Sequence, residues 1–204
     1  MNRNIEIKGN VDDIFFLEYE SVITGKGGLS IHNSGTDNKL EIGRNVVFDN
    51  FNIRLSCNTK IVIGDNCRLT GTVIMKITDN NTLIIGNNTT VGGANFICGE
   101  GSSIVIGNDC MIAWGIEFRT TDSHGIFDLD SKERVNIARD IVLDDLVWVG
   151  AHSTVIKGAR IARGSVIAIK SVVSSSFDKE NIIVGGIPAK IIKENIYWER
   201  KLLG

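Results

Sequence analysis

Three histidines, His32, His124 and His152, are the side chains of this 204-residue chain whose ordinary titration falls near neutral pH. His124 stands in the run Thr121-Asp122-Ser123-His124. A histidine placed there could serve as general base, taking the proton from a hydroxyl as its oxygen attacks an electrophile, and Asp122 could orient the ring. His152 falls at a corner of the repeat described below and reads as a solvated turn residue. His32 lies in a weakly patterned stretch and is given no role. A zinc site built from histidine would need three of them across neighbouring coils, and no two are close in sequence, so no metal is expected. The four cysteines, Cys57, Cys67, Cys98 and Cys110, show no C-x-x-C spacing and read as reduced thiols.

The elements that must hold these residues are legible from self-similarity. From Leu143 the chain runs in sixes, with Leu143, Val149, Val155, Ile161, Ile167 and Val173 in the first place and the small residues Val147, Ser153, Ala159, Ser165 and Ser171 in the fifth. Side chains alternate faces along a strand, so first and fifth places both point inward. Three such units close a triangular coil of about eighteen residues, and stacked coils pair as parallel strands. The sequence therefore predicts an all-β chain, a left-handed parallel β-helix forming one domain over residues 1–204, with coils over about 20–178 and a C-terminal cap over about 179–204.

The same phrase recurs earlier at Ile42-Gly-Arg-Asn45, Ile63-Gly-Asp-Asn66, Ile85-Gly-Asn-Asn88 and Ile106-Gly-Asn-Asp109, but in steps of 21, 22 and 21. Each wide coil is expected to carry a small corner loop or bulge, with a longer-coiled right-handed helix as the alternative for this half. Cys67 and Cys110 occupy fifth places and read as inward core residues. Between Thr120 and Asp140 the chain leaves the register, and an excursion from a strict solenoid is where function usually sits. The segment Glu194–Lys201, with Ile196, Tyr197 and Trp198 among charges, is expected to be a short helix capping the last coil. Trp148, in a sixth place between inward Val147 and Val149, must point outward from a flat face and marks an interface or ligand surface.

Composition narrows the class. A net charge of −2 gives no reason to expect nucleic acid. Met1–Asn10 carries Arg3, Glu6 and Lys8 without an apolar core, and no apolar run reaches the ~18 residues of a spanning helix, so a soluble cytoplasmic protein is expected.

The runs Thr121-Asp-Ser-His124, Val147-Trp-Val-Gly-Ala151 and Gly185-Gly-Ile-Pro-Ala-Lys190 resemble the hexapeptide-repeat acetyltransferases. The excursion Ile126–Asn136 and the tail Lys193–Lys201 are similar to the capsular polysaccharide branch, which includes the polysialic acid O-acetyltransferases. The resemblance is dense from about Ile104 to Lys201. It implies a homotrimer with acetyl-CoA as cosubstrate in a groove between two subunits. It further implies His124 as general base, Trp148 as a wall of the pocket, and backbone near Gly150 and Ala168 against CoA, with Lys170 and Lys190 near its phosphates. Two departures stand out: Gly125 follows the histidine where the family commonly has proline, and Ala162 and Ala168 replace second-place glycines.

The acceptor implied by that branch is a hydroxyl of a polymeric glycan. The chain lacks the N-terminal helical region of the maltose enzymes. The basic residues Arg119, Lys132, Arg134 and Arg139 around the excursion are expected to face an acidic polymer such as polysialic acid. The competing readings are a small-molecule acetyltransferase of the same family acting on a sugar or antibiotic, a γ-type carbonic anhydrase on the same fold, and a structural or ice-binding β-helix. An ice-binding surface would need an outward Thr-x-Thr ladder, which is absent, and a structural role would not need the Asp122–His124 excursion.

Overall fold

The glycine-and-asparagine corners and inward aliphatics are arranged in a computed structural model as a parallel β-solenoid, described over residues 5–10, 12, 14–17, 23–75 and 78–202. The expected start of the coils near residue 20 and both chain ends lie outside those residues. Parallel pairing already joins Ile5–Gly9 to Leu29–Asn33 and continues to Ile183–Gly186, so the stack is longer at both ends than the six-residue pattern suggested.

The first face is a sheet of eight strands, from Ile14–Leu17 through Thr82–Ile85 and Ile141–Leu143 to Ser176–Phe177. The second and third faces belong to one larger sheet bent at a corner. Wide coils cross this bend in single strands such as Val47–Leu55 and Thr90–Ile97, with a register shift at the corner. Later coils split there into pairs such as Trp148–Val149 and Thr154–Ile156. Aliphatics from all three faces fill one continuous core, in which Phe96 and Phe118 of adjacent coils stack at 5.2 Å.

Paired positions locate the irregularity. Leu143, Val149, Val155 and Ile161 follow one another at intervals of six, six and six. Their partners one to three coils earlier are Ile106, Ile112, Phe118 and then Leu143, with intervals of six, six and 25; Ile85, Val91, Phe96 and Ile106, with six, five and ten; and Ile63, Leu69, Val73 and Ile85, with six, four and twelve. The extra residues all sit at the corner between the third and first faces. The excursion over 120–140 is the largest expansion of that same corner.

The first corner explains the phrase Ile-Gly-(Asp/Asn)-(Asn/Asp). Asn45, Asn66, Asn88 and Asp109 adopt φ near +57°, which their short side chains tolerate. The residue before each reaches back one coil. Asp65 Oδ1 accepts from the Arg44 N–H, Asn87 Oδ1 from Asp65, and Asn108 Oδ1 from Asn87, each at 2.8 Å. At the wide corner, buried Asn38, Thr59, Asn81 and Ser102 satisfy the backbone inside the turn; the Asn38 Oδ1 accepts from the Thr59 N–H at 2.8 Å. Such pairing offsets the cost of burying polar atoms, and among the described residues no buried side-chain polar atom lacks a partner.

The expected C-terminal capping helix is not formed. Ala189–Lys193 instead turns back as an antiparallel strand on Ile183–Gly186. Asn195 then takes φ +57°, which a helix cannot continue, and residues 196–200 run as an extended strap along the first corner. The contacts of the strap run back down the stack, passing over the coil of Gly164: the Ile196 N–H donates to Asn181 O, Trp198 Nε1 to Leu146 O at 2.9 Å, and Arg200 to Cys110 O at 2.9 Å and Asp109 O at 3.2 Å. Exposed coil-corner carbonyls supply partners that a free helix would have to make for itself.

Candidate active site

The excursion is rooted at the wide corner by a polar staple. Buried Thr120 accepts from the Gly99 N–H at 3.1 Å and from Ser102 Oγ at 2.6 Å. Glu100 of the preceding coil receives both Nη atoms of Arg134, at 2.5 and 2.9 Å, and the Thr121 hydroxyl. Asn136 closes the loop on itself. Its Nδ2 donates to His124 O and to Asp122 Oδ2, each at 2.8 Å, and its Oδ1 accepts from the Ile126 N–H at 2.7 Å. His124 is thereby held at the neck of the loop by its backbone, with its side chain exposed.

Asp122 does not meet that ring. Its carboxylate is taken by Lys157 and Asn136, and among the described residues no hydrogen bond reaches the His124 imidazole. Lys157 and then Asn136 hold the Asp122 carboxyl below the usual carboxylate range, and Arg134 followed by Thr121 does the same for Glu100. Both acids therefore fasten the loop. The basic residues expected to face an acidic polymer are largely occupied as well. Arg134 binds Glu100, Arg119 Nε donates to Glu117 at 2.9 Å, Lys132 donates to Leu129 O at 2.6 Å, and the Arg139 stem lies against Gly158.

A different surface is built on the second face. Trp148 points outward and is 36% exposed, in register between Met111 and Val166 of the neighbouring coils. Its ring meets Trp198 of the strap at 5.9 Å. Beside it opens an almost wholly apolar groove of about 530 Å³ that includes Trp114, Trp148, Gly150, Ala168 and Ile169. Gly150 is required there, since a Cβ would stand 2.7 Å from the Ile169 nitrogen and 2.8 Å from the Ile167 oxygen of the next coil. Lys170, at φ +56°, and Lys190 on the terminal hairpin are both exposed.

His152 is more than a solvated turn. At φ +58° its N–H donates to Trp114 O at 3.0 Å, and its ring stands edge-on to Trp114 at 6.4 Å, beside the groove. Sequence reasoning missed Trp114, which is 62% exposed, although an aromatic in the third place of the Ile112 unit is the same kind of signal as Trp148. It also missed Asn136, whose role arises only when the two ends of the excursion meet. Cys67 and Cys110 are buried core residues, and burial pushes their thiols up to about 11, which leaves little thiolate near neutral pH. The three histidines lie on separate coils, and among the described residues no group of three His, Cys, Asp or Glu gathers as a metal site would require.

The two halves of this chemistry face apart. The His124 loop leaves the corner between the third and first faces, whereas Trp148 and its groove lie on the second face, across the triangular section.

A parallel solenoid read in six-residue units, with an outward tryptophan over a glycine-lined coil seam, fits the hexapeptide-repeat class. No protein-family profile matches the chain. In solved structures, the chain is similar to the polySia-specific acetyltransferase NeuO, with a TM-score of 0.86 and 31% identity over 97% of this chain and 88% of that one. It is also similar to the polysialic acid O-acetyltransferase OatWY, with a TM-score of 0.85 and 30% identity over 98% and 92%. In sequence, it is 38% identical over 80 residues to the polysialic acid O-acetyltransferase of Escherichia coli O1:K1 / APEC, a match spanning 39% of this chain and 26% of that protein's length. The chain belongs to the hexapeptide-repeat acetyltransferases, on the branch that holds the polysialic acid O-acetyltransferases. Among the described residues no helix is long and apolar enough to cross a membrane.

Proposed function

We propose that the protein transfers an acetyl group from acetyl-CoA to a hydroxyl of an acidic capsular polysaccharide of the polysialic acid type, in the cytoplasm where acetyl-CoA is made. The observation that carries this reading is the apolar groove on the second face, in a chain that matches two polysialic acid acetyltransferase structures over nearly its whole length. A groove with few polar atoms suits the thioester arm of the donor, with Trp148 as its wall and the backbone at Gly150 and Ala168 along its length. Lys170 and Lys190 are exposed cations available to the donor's phosphates.

His124 takes the proton of the sugar hydroxyl as that oxygen attacks the thioester carbonyl. A tetrahedral oxyanion forms, steadied by backbone N–H groups, and collapses with cleavage of the carbon–sulfur bond. The proton passes from His124 to the departing thiolate, leaving acetyl ester and CoA. Asp122 acts through the loop and not on the ring. Because the His124 loop and the groove face apart in one chain, the working unit is a homotrimer in which His124 of one copy meets the groove of the next.

Turnover of acetyl-CoA, read as free thiol, against polysialic acid, other capsular oligomers and free sugars tests the reading. Acetylation should be fastest on polysialic acid. A highest kcat/KM on a free galactoside or an aminoglycoside would make the acceptor a small molecule.

A further inference from the structure

The third face carries a feature unrelated to the groove or to His124. Parallel pairing sets Lys8 beside His32 and His32 beside Arg54, so three basic side chains project outward in one row across three coils. Strand spacing places them about 4.8 Å apart along the solenoid axis. All three are exposed. Lys8 is paired with Glu6 at 2.9 Å on its own strand, while neither His32 nor Arg54 has a side-chain hydrogen bond or ion pair among the described residues. They line a groove of about 530 Å³ with Ser30, Ser34 and Asn52. Ser30 and Asn52 are likewise without side-chain partners among the described residues, so the cleft offers neutral donors beside the cations.

The row gathers basic side chains and free donors on a chain of net charge −2. The next two positions in the row are Ile74 and Ile97, which separate this basic group from Arg119 further along the same row. From Arg54 to Arg119, where the His124 loop leaves the third face, there are three strand steps, about 14 Å.

We propose that the Lys8–His32–Arg54 row is a docking site for an anionic polysaccharide chain, separate from the point of acetyl transfer. The inference rests on the acidic-glycan reading above and deepens it. Carboxylates repeating along a polymer match basic and hydrogen-bonding side chains repeating along the solenoid. Arg54 can fork onto one carboxylate, and Ser30 and Asn52 can bond to the hydroxyls between. A chain docked there and acetylated at His124 must span several coils, so only longer acceptors gain from the row.

The test is the double variant His32→Ser, Arg54→Ser, both exposed positions outside the catalytic machinery. Binding of long polysialic acid is measured by gel retardation at low and moderate salt, with neutral dextran as control, and kcat/KM is compared on long polymer and on a short oligomer. The variant should bind long polymer about tenfold more weakly, equivalent to about 1.4 kcal/mol. It should lose kcat/KM on long polymer by a similar factor and keep wild-type kcat/KM on the short oligomer. Unchanged polymer binding, or an equal loss on short and long acceptors, would overturn the docking site. Retarded polymer that is never acetylated would instead sink the proposed acceptor and leave the docking site standing.

Discussion

The coils from Leu29 to Arg119 and those from Ile141 to Gly186 belong to one stack but close their third corner differently. In the later coils the corner is tight: Gly158 turns at φ +81°, and the interval from third to first face is six residues from Val155 to Ile161 and four from Val173 to Phe177. In the earlier coils the same corner takes ten to twelve residues and is filled by buried Asn, Thr and Ser. The cores follow suit. Phe48, Phe51, Phe96 and Phe118 sit fully buried in the wide coils, whereas the tight coils are packed by Val147, Val149, Val155 and Ala159. A solenoid can thus vary one corner without losing pairing on its faces, and the His124 loop leaves at the junction of the two regimes. The apolar groove spans the same junction, from Met111 and Trp114 to Ile169.

Removing chemistry should have the largest effect. His124→Ala should lower kcat by ~10²–10⁴, the usual worth of a general base, while its melting temperature stays at the wild-type value. Unchanged turnover would remove His124 from the mechanism. Packing should separate the two halves next. Phe96→Ala in the wide half loses a fully buried stacked ring and should destabilise by about 3–5 kcal/mol. Val155→Ala in the tight half should cost only about 2 kcal/mol. Equal losses in denaturant titrations would contradict the view that the wide coils depend on their aromatics.

The smallest effect concerns the loop's fastening. Asp122 and Glu100 have carboxyls depressed in the folded state, so their contribution is present above the ordinary carboxylate pKa and is lost as pH falls through the depressed values. Proteolysis within 126–135 should therefore accelerate below about pH 4 while the strand signal in circular dichroism persists. Asp122→Asn should show faster cleavage already at neutral pH. Cleavage indifferent to both would assign the loop's order to its other bonds.

Much of this architecture is legible in the sequence because a period of six reports which side chains point inward. That pattern gives the core aliphatics, the buried cysteines, the outward Trp148 and the break after Thr120. Periodicity cannot report which polar groups meet across coils. Asp122 lies two residues from His124, yet its partners Asn136 and Lys157 come from the far end of the loop and the next coil. The strap fails for a related reason. Ile196, Tyr197 and Trp198 look amphipathic, but the strap is held by corner carbonyls on coils 52 to 112 residues earlier. The alignment of His32 with Lys8 and Arg54 is invisible to such a pattern, because these residues are 24 and 22 positions away.

The central claim is that His124 of one copy works on the groove of another, and subunit mixing tests it most directly. The His124→Ala and Trp148→Ala proteins, each expected to be nearly inactive, would be mixed under conditions that exchange subunits and assayed for acetyl-CoA turnover with polysialic acid. A site shared between copies predicts recovery to about a quarter of wild-type activity, since random trimers then contain sites with both residues intact. No recovery, with exchange verified by mass spectrometry, would place His124 and Trp148 in the same subunit's site and contradict the account.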